Sequence, residues 1–556
     1  MKDICIIGSG AGASPVAYEL SKAGYKVVVL EKGPWLKTED FTKDELVATR
    51  KDLYIPNLED ESHQIVRKNS DGNWSVKNTA DTGSDFWNGN VVGGSSNFMS
   101  GYFHRMKPQD FKLKSTYGEI EGANITDWPI SYDDLEPYYA KVEEVIGVSG
   151  KVNQHKYLEP RSTPDFPYAP LATNIVSDLI DKAAGELKIS TFGTPRAIIS
   201  KGKDKRNACY YSNYCGSYGC SSSAKGSARS ALLEPALETG NLEIIPFAKV
   251  FHLETDGKGK VIRANYYDAE DQKQFIEANL FVIAAQATET SRLLLMSKNK
   301  DFPNGLANNN DQVGKNLVFS SGGVGSCNLN YDDFDPDTAQ KLKAPGLFVN
   351  RACQEWYEIE KEGKKIKGGT IDFLWDHANP VSRTIRAKWD GNDLLYGTAL
   401  KEKIHGYFTK QRRLKFEIFT DWSPNDDCFV ELSDDKFDKW GDPVGKIWTG
   451  AISYDKTVGE ILAKNTIPIL EKMGGKNISY TISNYPSVNL QAGGCRFGID
   501  PETSVLDANC KAHEVENLYV TDGSFMPTGG STTFTFTIYA NAFRVADKIL
   551  ERLKTI

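Results

Sequence analysis

A glycine-rich turn near the N-terminus has the residue types that bind a phosphate group. It reads Gly8-Ser9-Gly10-Ala11-Gly12-Ala13 and lies between the apolar run Ile4–Ile7 and apolar residues at helical spacing. Gly8 permits a tight turn, Gly10 lets the backbone approach a pyrophosphate, and Ala13 is small enough for close helix–strand packing. The turn therefore predicts phosphate binding at the N-terminus of a helix.

Glu31 supplies an acid at the spacing that dinucleotide-binding units need. It follows a second buried run, Lys26–Leu30, and lies 23 residues after Gly8, where about 20 residues are typical. A carboxylate at this place can accept hydrogen bonds from both hydroxyls of an adenosine ribose. The order of strand, glycine turn, helix, strand and acid predicts a Rossmann-like unit, but it does not separate FAD from NAD.

Three cysteines at short spacing form a second group with chemical potential. Cys209, Cys215 and Cys220 lie in a stretch rich in tyrosine, glycine and serine. Soft thiolate ligands can hold an iron–sulfur cluster, and the absence of a histidine from the group disfavours a four-ligand zinc site. Two interpretations stay open, an iron–sulfur cluster and a set of buried free thiols or a local disulfide. The nine cysteines are odd in number and sparse, so a disulfide framework is not expected.

The composition bounds the class of protein. The 556 residues are 40% hydrophobic and 25% charged, which is ordinary globular usage and enough chain for two or more packed units. The net charge of −8 argues against general binding of nucleic acid or anionic membranes and suits a neutral or cationic small molecule. No apolar run approaches the about 20 residues of a membrane span. The first strand begins at residue 3, which leaves no room for a secretory signal and predicts a cytoplasmic location.

Secondary-structure elements must position these residues. Residues 40–80 predict a helix followed by a loop, and Ser131 with Asp134 predicts a capped helix start. Further helices are predicted over 173–187, 457–473 and Thr537–Leu553, and strands over 240–285 and 320–455, the latter as a large antiparallel sheet. No internal repeat or low-complexity linker separates these parts, so we expect interleaved domains.

Five segments together resemble the glucose–methanol–choline (GMC) oxidoreductases, which bind FAD. Besides the N-terminal turn, they are Gly93–Ser96, Asp127–Leu135, Ala284–Thr290 and a C-terminal block made of Gly493–Pro501, Asn517–Ser524 and Pro527-Thr528. These segments cover nearly the whole chain and keep the order of the family. Their joint occurrence is far more specific than any one of them.

The resemblance implies an α/β fold in which a Rossmann-like FAD-binding domain is interleaved with an antiparallel-sheet substrate domain, the cap. The FAD-binding domain is expected to comprise residues 1–120, 205–320 and 480–556. The cap is expected to comprise residues 121–204 and 321–479, and to cover the flavin ring.

The resemblance also implies the cofactor contacts. Asp522 and Gly523 would contact the ribityl–phosphate part of FAD, the loop Gly93–Asn97 would lie against the isoalloxazine, and the last helix would direct its N-terminus at the flavin. The full set of predicted FAD contacts is Gly8, Gly10, Ala11, Ala13, Glu31, Gly93, Gly94, Ser95, Asn97, Val250, Asp522 and Gly523.

The chain departs from the family at the catalytic positions. Similar enzymes place a histidine ahead of the Gly-Gly-x-Arg-x-Gly motif, where this chain has Leu490 with Asn489 and Gln491 beside it. They place a histidine or asparagine before the last helix, where this chain has Thr533. Neither leucine nor threonine is a competent base near neutral pH. The candidate catalytic residues are therefore Asn489, Gln491 and Thr533.

Three sources of the catalytic base stay open. One is a slipped alignment, in which Asn489 or Gln491 provides the hydrogen-bonding group. Another is the cap, through His377 or His405, although a lone histidine carries little information. The third is the substrate's own amine or a water molecule that relays the proton.

The cysteine segment carries the indication of substrate. Cys215–Cys220 followed by Ala224–Arg229 is similar to the flavin-dependent dehydrogenases of aminoglycoside biosynthesis, which oxidise a sugar 6′-hydroxyl to an aldehyde. A polycationic substrate would suit the acidic chain and acid-rich stretches such as Asp332–Asp337. The predicted activity is thus oxidation of a sugar or aminosugar hydroxyl by hydride transfer to flavin N5.

Other activities are kept as alternatives. They are a redox-neutral lyase on the same scaffold, an FAD and iron–sulfur dehydrogenase of another alcohol, and a flavoprotein that only passes electrons through the cysteines. A nicotinamide dehydrogenase is disfavoured by the C-terminal block. The sequence does not name the electron acceptor.

Overall fold

A computed structural model describes residues 2–46, 60–68, 72–82, 88–216, 218–376, 378–482 and 484–555. Its helices are α1 (Ser14–Lys22), α2 (Thr79–Thr82), α3 (Leu113–Tyr117), α4 (Tyr132–Val142), α5 (Val176–Glu186), α6 (Glu234–Leu237), α7 (Ala287–Met296), α8 (Pro336–Leu342), α9 (Pro380–Ala387), α10 (Gly397–Thr409), α11 (Ser453–Lys472) and α12 (Phe534–Leu553). Within these residues, no helix has both the length and the hydropathy to cross a bilayer.

The strands form three larger sheets and two hairpins. They are β1 (Lys2–Ile7), β2 (Val27–Leu30), β3 (Gln64–Lys68), β4 (Trp74–Asn78), β5 (Phe192–Gly193), β6 (Leu242–Ile245), β7 (Lys249–Thr255), β8 (Val261–Tyr267), β9 (Lys273–Ile283), β10 (Leu317–Asn330), β11 (Arg351–Cys353), β12 (Glu358–Lys361), β13 (Lys364–Lys367), β14 (Thr370–Trp375), β15 (Trp389–Asp390), β16 (Asp393–Leu394), β17 (Gln411–Trp422), β18 (Phe429–Phe437), β19 (Pro443–Thr449), β20 (Lys476–Thr481), β21 (Ser487–Gly493) and β22 (Leu518–Val520). The hairpins are β12–β13 and β15–β16.

The first sheet has the order β6-β2-β1-β9-β8-β7, with β22 also paired to β9. Strand β1 pairs in parallel with both β2 and β9, and the four residues of β2 are all buried. A strand covered on both faces needs a continuous apolar run, which is why Val27–Leu30 contains no polar residue. Because β1 ends at Ile7 and β2 ends at Leu30, the glycine turn and Glu31 both lie at the carboxyl edge of this sheet.

The second sheet has the order β20-β10-β17-β14-β11-β5 and is antiparallel, with β21 also paired to β10. Its core includes Phe373 and Phe416 from the strands, and Leu462 from α11 packs in the same cluster. The strands of the two sheets come from alternating stretches of chain. This arrangement confirms the predicted fold class, a Rossmann-like α/β unit interleaved with an antiparallel sheet.

The third sheet corrects the prediction for residues 40–80. These residues do not continue as a helix and a loop, since 64–68 and 74–78 are strands β3 and β4, while 47–59 lie outside the described residues. Strand β3 pairs in parallel with β19, which lies almost 400 residues later in the chain. Strands β3 and β4 pair with each other as a local antiparallel hairpin, but short strands of mixed polarity have no clear local period that would predict them. The sheet also joins chain segments that we had expected to lie in different domains.

Local sequence signals act as expected at helix starts. Ser131 accepts a hydrogen bond from the backbone N–H of Asp134, whose carboxylate accepts from the backbone of Ser131, which confirms the predicted capping box. Pro15 lies in the first turn of α1, where its missing N–H costs nothing. The last helix, α12, begins at Phe534, three residues before the predicted start.

Candidate active site

A cavity of about 700 Å³ is lined by residues of both large sheets. The glycine turn and Glu31 line it from the first sheet. Val324 of β10 and Phe419 of β17 line it from the second. A cavity of this size, formed where two parts of a protein meet, is typical of sites for a cofactor and a small substrate.

The glycine turn forms a cradle in which the protein itself leaves no room for a side chain at Gly8 and Gly12 but leaves open space at Gly10. Gly8 has φ of +91°, and a Cβ there would lie 2.3 Å from the carbonyl oxygen of Ala284. At Gly12 a Cβ would lie 2.6 Å from the Cα of Asp522, so the helix packs directly on that backbone. Gly10 meets no atom within 4 Å, because its Cβ position faces open space. The backbone at Gly10 is therefore accessible to a ligand at the N-terminus of α1, where a phosphate is favoured.

Glu31 is held at the same edge. Its Oε2 accepts a hydrogen bond from Ser9 Oγ at 2.5 Å, and its Oε1 accepts from the backbone N–H of Gly33 at 2.9 Å. Burial raises the pKa of this carboxyl, and the two hydrogen bonds oppose that effect. Each oxygen retains a lone pair, so the carboxylate can still accept hydrogen bonds from ribose hydroxyls.

The second glycine loop packs against the first. The backbone N–H of Gly93 donates to Ser9 Oγ at 2.9 Å, and a Cβ on Gly94 would lie 3.1 Å from the Cα of Gly10. Asn97 donates through Nδ2 to the carbonyl oxygens of Val92 and Gly94, both at 3.0 Å. Gly94 and Ser95 line the cavity. Gly93, Asn97 and the fully buried Ala13 were also predicted to contact FAD, but they are not among the lining residues.

Asp522 connects the C-terminal block to α7. Its Oδ2 accepts from the backbone N–H of Gln286 at 3.0 Å and from Thr290 Oγ1 at 2.5 Å, and its Oδ1 accepts from the backbone N–H of Ser524 at 2.8 Å. Burial raises the pKa of this carboxyl, while these hydrogen bonds stabilise its charged form. Asp522 and Gly523 both line the cavity, as do Ala11 and Val250.

The N-terminus of α12 points into the cavity. Thr533 is its N-cap, and Thr533, Phe534 and Thr535 all line the cavity. The unpaired N–H groups of a helix start, together with the helix dipole, favour negative charge on a ligand. The hydroxyl of Thr533 donates to the backbone carbonyl of Tyr102 at 2.6 Å.

Gln491 lines the cavity on strand β21 with Leu490 beside it. Thr288 Oγ1 of α7 lies 3.0 Å from Gln491 Oε1 and 3.1 Å from Gln286 Oε1, so its hydroxyl hydrogen is shared by two acceptors, one of which is the amide of Gln491. An anchored amide at a cavity wall can orient a substrate hydroxyl. The side chain of Asn489 lies outside the described residues.

Two further side chains that line the cavity, those of Tyr102 and Glu417, were not predicted from the sequence. Tyr102 follows the second glycine loop, and burial raises the pKa of its phenol. Glu417 lies on β17 between its cross-strand partners Val324 and Asp372, and it lines the cavity. The Nζ of Lys415 lies 3.9 Å from Glu417 Oε1. The alternation of polar and apolar residues along β17 was the only signal in the sequence for Glu417. That alternation does not identify the face of the strand that meets the cavity.

A buried network of charges lies beside Glu31, and the sequence did not indicate it. Lys32 Nζ lies 2.7 Å from Glu61 Oε2 and 3.6 Å from Glu289 Oε1, Arg292 contacts Glu61, and His63 Nε2 lies 2.7 Å from Glu289 Oε1. Of the residues that the structure describes, only the group of Glu61, His63 and Glu289 brings three potential metal-ligating atoms within 4.8 Å of one another. Lys32 and Arg292 already neutralise both carboxylates, so this is an ion-pair network.

The three cysteines of the predicted cluster pack against one apolar cluster. In the described part of the chain, they do not form a group that could hold a single metal ion. The Sγ of Cys209 accepts from the backbone N–H of Tyr211 at 3.4 Å, and that of Cys220 lies 3.4 Å from Ser222 Oγ. Burial raises the pKa of Cys209 to about 12, whereas at Cys220 the nearby Lys225 and hydrogen bonds outweigh burial and lower the pKa of the thiol. The thiolate that an iron–sulfur cluster needs is thus disfavoured at Cys209 and favoured at Cys220. The iron–sulfur prediction is therefore not supported.

The cavity wall contains no histidine among the residues that the structure describes. None of the six histidines that the structure describes lines the cavity. His405 is exposed on α10, and His377 lies outside the described residues. A histidine base from the cap has no support among the described residues.

The described residues fit a bound FAD. The cradle at Gly10 leaves backbone open for a pyrophosphate, Glu31 offers acceptors to a ribose, and the start of α12 favours the negative charge of a reduced flavin.

Comparison with protein families gives two matches. Residues 175–320 match the N-terminal model of the GMC oxidoreductase family, and residues 424–542 match its C-terminal model. The first match includes the three cysteines and α7, and the second includes β21 and the start of α12.

Curated relatives and solved structures agree with these matches. The fructose dehydrogenase large subunit of Gluconobacter japonicus is 27% identical, with 99% of this chain and 98% of that protein covered. The paromamine 6′-oxidase of Streptomyces fradiae is 26% identical, with 98% of this chain and 91% of that protein covered. The crystal structure of a pyridoxine 4-oxidase from Mesorbium loti shares the fold, with a TM-score of 0.60, 16% identity and 99% of each chain covered.

Proposed function

Because the chain belongs to the GMC oxidoreductase family, whose members use FAD to oxidise alcohols, we propose that it oxidises a hydroxyl group of a sugar or aminosugar. The observation that carries this proposal is the single cavity that joins the glycine cradle and Glu31 to the wall formed by β10 and β17. The first part suits FAD, and the second part leaves room for a small substrate.

The chemistry divides between cofactor and chain. A bound flavin supplies the acceptor for the hydride that leaves the carbon bearing the hydroxyl. The chain must orient that hydroxyl, and we assign this role to the amide of Gln491, which Thr288 holds in place. Neither Leu490 nor Thr533 can take up a proton near neutral pH, so the hydroxyl proton is assigned to water or to an amine of the substrate.

Glu417 supports a substrate that carries an amino group. It is the acid that β17 contributes to the cavity wall, and a carboxylate attracts an ammonium group. The similarity to paromamine 6′-oxidase and to fructose dehydrogenase supports sugar-like substrates in general. Oxidation of an aminoglycoside 6′-hydroxyl to the aldehyde is the finer form of this proposal.

The test is an anaerobic titration of purified protein with a panel of neutral sugars, aminosugars and one aliphatic diol. We expect the visible spectrum of oxidised flavin before addition and bleaching after addition of a sugar or aminosugar. Bleaching by the diol alone would replace the sugar assignment with another alcohol. Conversion of a substrate without bleaching would point to the lyase, and a protein with no flavin after reconstitution with FAD would overturn the proposal altogether. An iron and sulfide assay on the same sample tests the cysteine segment.

A further inference from the structure

A basic arm stands out from the second sheet. It comprises residues 380–409, namely α9, the hairpin β15–β16 and α10. Neither of its helices buries a single side chain. Of the fifteen strongly exposed large apolar side chains among the described residues, six lie in this arm, with exposures between 41% and 81%. They are Val381, Ile385, Trp389, Leu394, Tyr396 and Phe408.

Four of these side chains form a row. Val381 and Ile385 are four residues apart and share one face of α9. Trp389 lies two residues beyond the end of α9, and its cross-strand partner in the hairpin is Leu394. Partners across a strand pair point to the same face of the ribbon. Exposing several neighbouring apolar side chains to water is unfavourable, and such a surface marks a site that binds a protein or a membrane.

The charge of the arm is opposite to that of the whole chain. The arm contains five Lys and Arg residues and three Asp and Glu residues, whereas the chain carries a net charge of −8. Arg386 and Lys388 lie next to the apolar row, both without an ion-pair partner among those found in the described residues, while Lys403 lies 3.4 Å from Asp390. A local excess of positive charge favours an anionic partner.

We propose that the basic arm docks on an anionic lipid surface. Aliphatic and Trp side chains on one face of a short helix, with Arg and Lys beside them, are the pattern of helices that lie in the membrane interface. There the apolar row enters the acyl boundary and the basic residues meet lipid phosphates. The high exposure of the row favours lipid over a protein partner, because the side chains project outward instead of lining a groove. The acidic net charge of the chain opposes this docking, but salt screens charges that lie farther than about 10 Å from the lipid, so the local charge of the arm dominates.

The arm is attached next to the cavity. The backbone N–H groups of Val381 and Ser382 donate to the carboxylate of Glu45 at 2.7 and 2.8 Å, and Tyr218 Oη donates to the carbonyl of Ala378 at 3.3 Å. Gly216, two residues before Tyr218, lines the cavity. Docking of the arm would therefore hold the edge of the active site close to the lipid surface.

The test is co-sedimentation of the holoprotein with vesicles of phosphatidylcholine alone or of phosphatidylcholine mixed with phosphatidylglycerol. We expect binding to the mixed vesicles that weakens with salt. The variants I385E/W389E and R386E/K388E should each weaken this binding about tenfold or more. Ile499→Glu and Lys298→Glu change an exposed apolar and an exposed basic residue outside the arm, and they should bind as the wild type does. An unchanged flavin spectrum shows that each variant is folded.

Three outcomes would overturn the proposal. One is absence of wild-type binding to the mixed vesicles. Another is equal binding by wild type and I385E/W389E. The third is seen by light scattering: a wild-type dimer that I385E/W389E converts to a monomer, without vesicle binding, would assign the row to a second copy of the chain.

Discussion

The hydroxyl of Thr533 donates a hydrogen bond to the backbone carbonyl of Tyr102 at 2.6 Å. This bond ties the start of α12 to the chain that follows the second glycine loop. We expect T533V to lower the free energy of unfolding by about 1 kcal/mol, because one buried hydrogen bond is lost, and T533S to behave as wild type. The pH profile of kcat/KM should keep its shape in T533V. Loss of an ionisation from that profile would show that Thr533 takes part in proton transfer.

Gln491 is expected to orient the substrate hydroxyl. Replacing it in Q491L should slow flavin reduction about tenfold to a hundredfold, which corresponds to about 1–3 kcal/mol for a lost hydrogen bond. T288V removes the anchor of the amide and should act in the same direction by a smaller factor, whereas T288S keeps the hydroxyl. Anaerobic stopped-flow absorbance measures the rate. Wild-type reduction by Q491L would remove Gln491 from the mechanism.

Glu31 is expected to bind the ribose of FAD. E31L should weaken FAD binding about tenfold or more, because hydrogen bonds to a charged group contribute about 1.5–3 kcal/mol. Glu243, an acid of the neighbouring strand β6, is ion-paired with Lys2 at 2.5 Å and does not line the cavity, so E243Q is the matched control. Fluorescence quenching during titration of the apoprotein with FAD measures the affinity. Equal affinity of E31L and E243Q would contradict the assignment.

Glu417 is expected to discriminate in favour of an amino group. E417Q should raise KM for an aminosugar about fivefold, equivalent to the about 1 kcal/mol of a partly exposed ion pair, and should leave KM for the matching neutral sugar unchanged. K415M removes the neighbouring cation and should shift KM for the aminosugar in the opposite direction. If E417Q changes both values of KM alike, Glu417 shapes the cavity without recognising charge.

Asp455 makes the stability depend on pH. Burial raises the pKa of this carboxyl to about 7, nearby Asp421 adds to the shift, and hydrogen bonds from Ser423 oppose it. In the unfolded chain its pKa is about 3.9, so the folded state binds the proton more tightly between pH 4 and 7. The free energy of unfolding should therefore fall as pH rises through this window, by up to about 4 kcal/mol from this group.

The variant D455N isolates that effect, because its amide stays neutral and still accepts a hydrogen bond from Ser423. We expect its Tm to exceed that of wild type by a margin that grows from pH 4 to pH 7 and then levels off. Differential scanning calorimetry at several pH values measures the margin. A constant difference across the range would show that Asp455 does not titrate in this window.

The N-terminal half of the site was predictable because its signals are local. Gly8, Gly10 and Glu31 lie within one short stretch of chain. The apolar runs on either side of them predict the strands and the helix that they connect. The capping box at Ser131 is predictable for the same reason, since the residues that cap each other are three positions apart.

Other predictions depended on long-range contacts and were incomplete. Spacing grouped Cys209, Cys215 and Cys220, and they pack against one apolar cluster, but the thiols of Cys209 and Cys220 have local hydrogen-bond partners that spacing does not reveal. The pairing of strand β3 with β19 joins residues far apart in the chain. The exposure of the basic arm follows from the tertiary structure, in which neither of its helices contains a buried side chain.

The sequence by itself predicted the phosphate-binding turn and the acid after the second strand, because glycines, acids and apolar runs indicate these within short windows. The resemblance of five segments to a known family, spread over nearly the whole chain, implied the cofactor. Only the tertiary structure decided which side chains share the substrate wall. Thr533 meets Tyr102, Thr288 meets Gln491, and Glu417 faces the cavity through contacts between residues far apart in the chain. Such contacts arise where two sheets, each with its own hydrophobic core, meet at the cavity. No local pattern of residues encodes which faces meet.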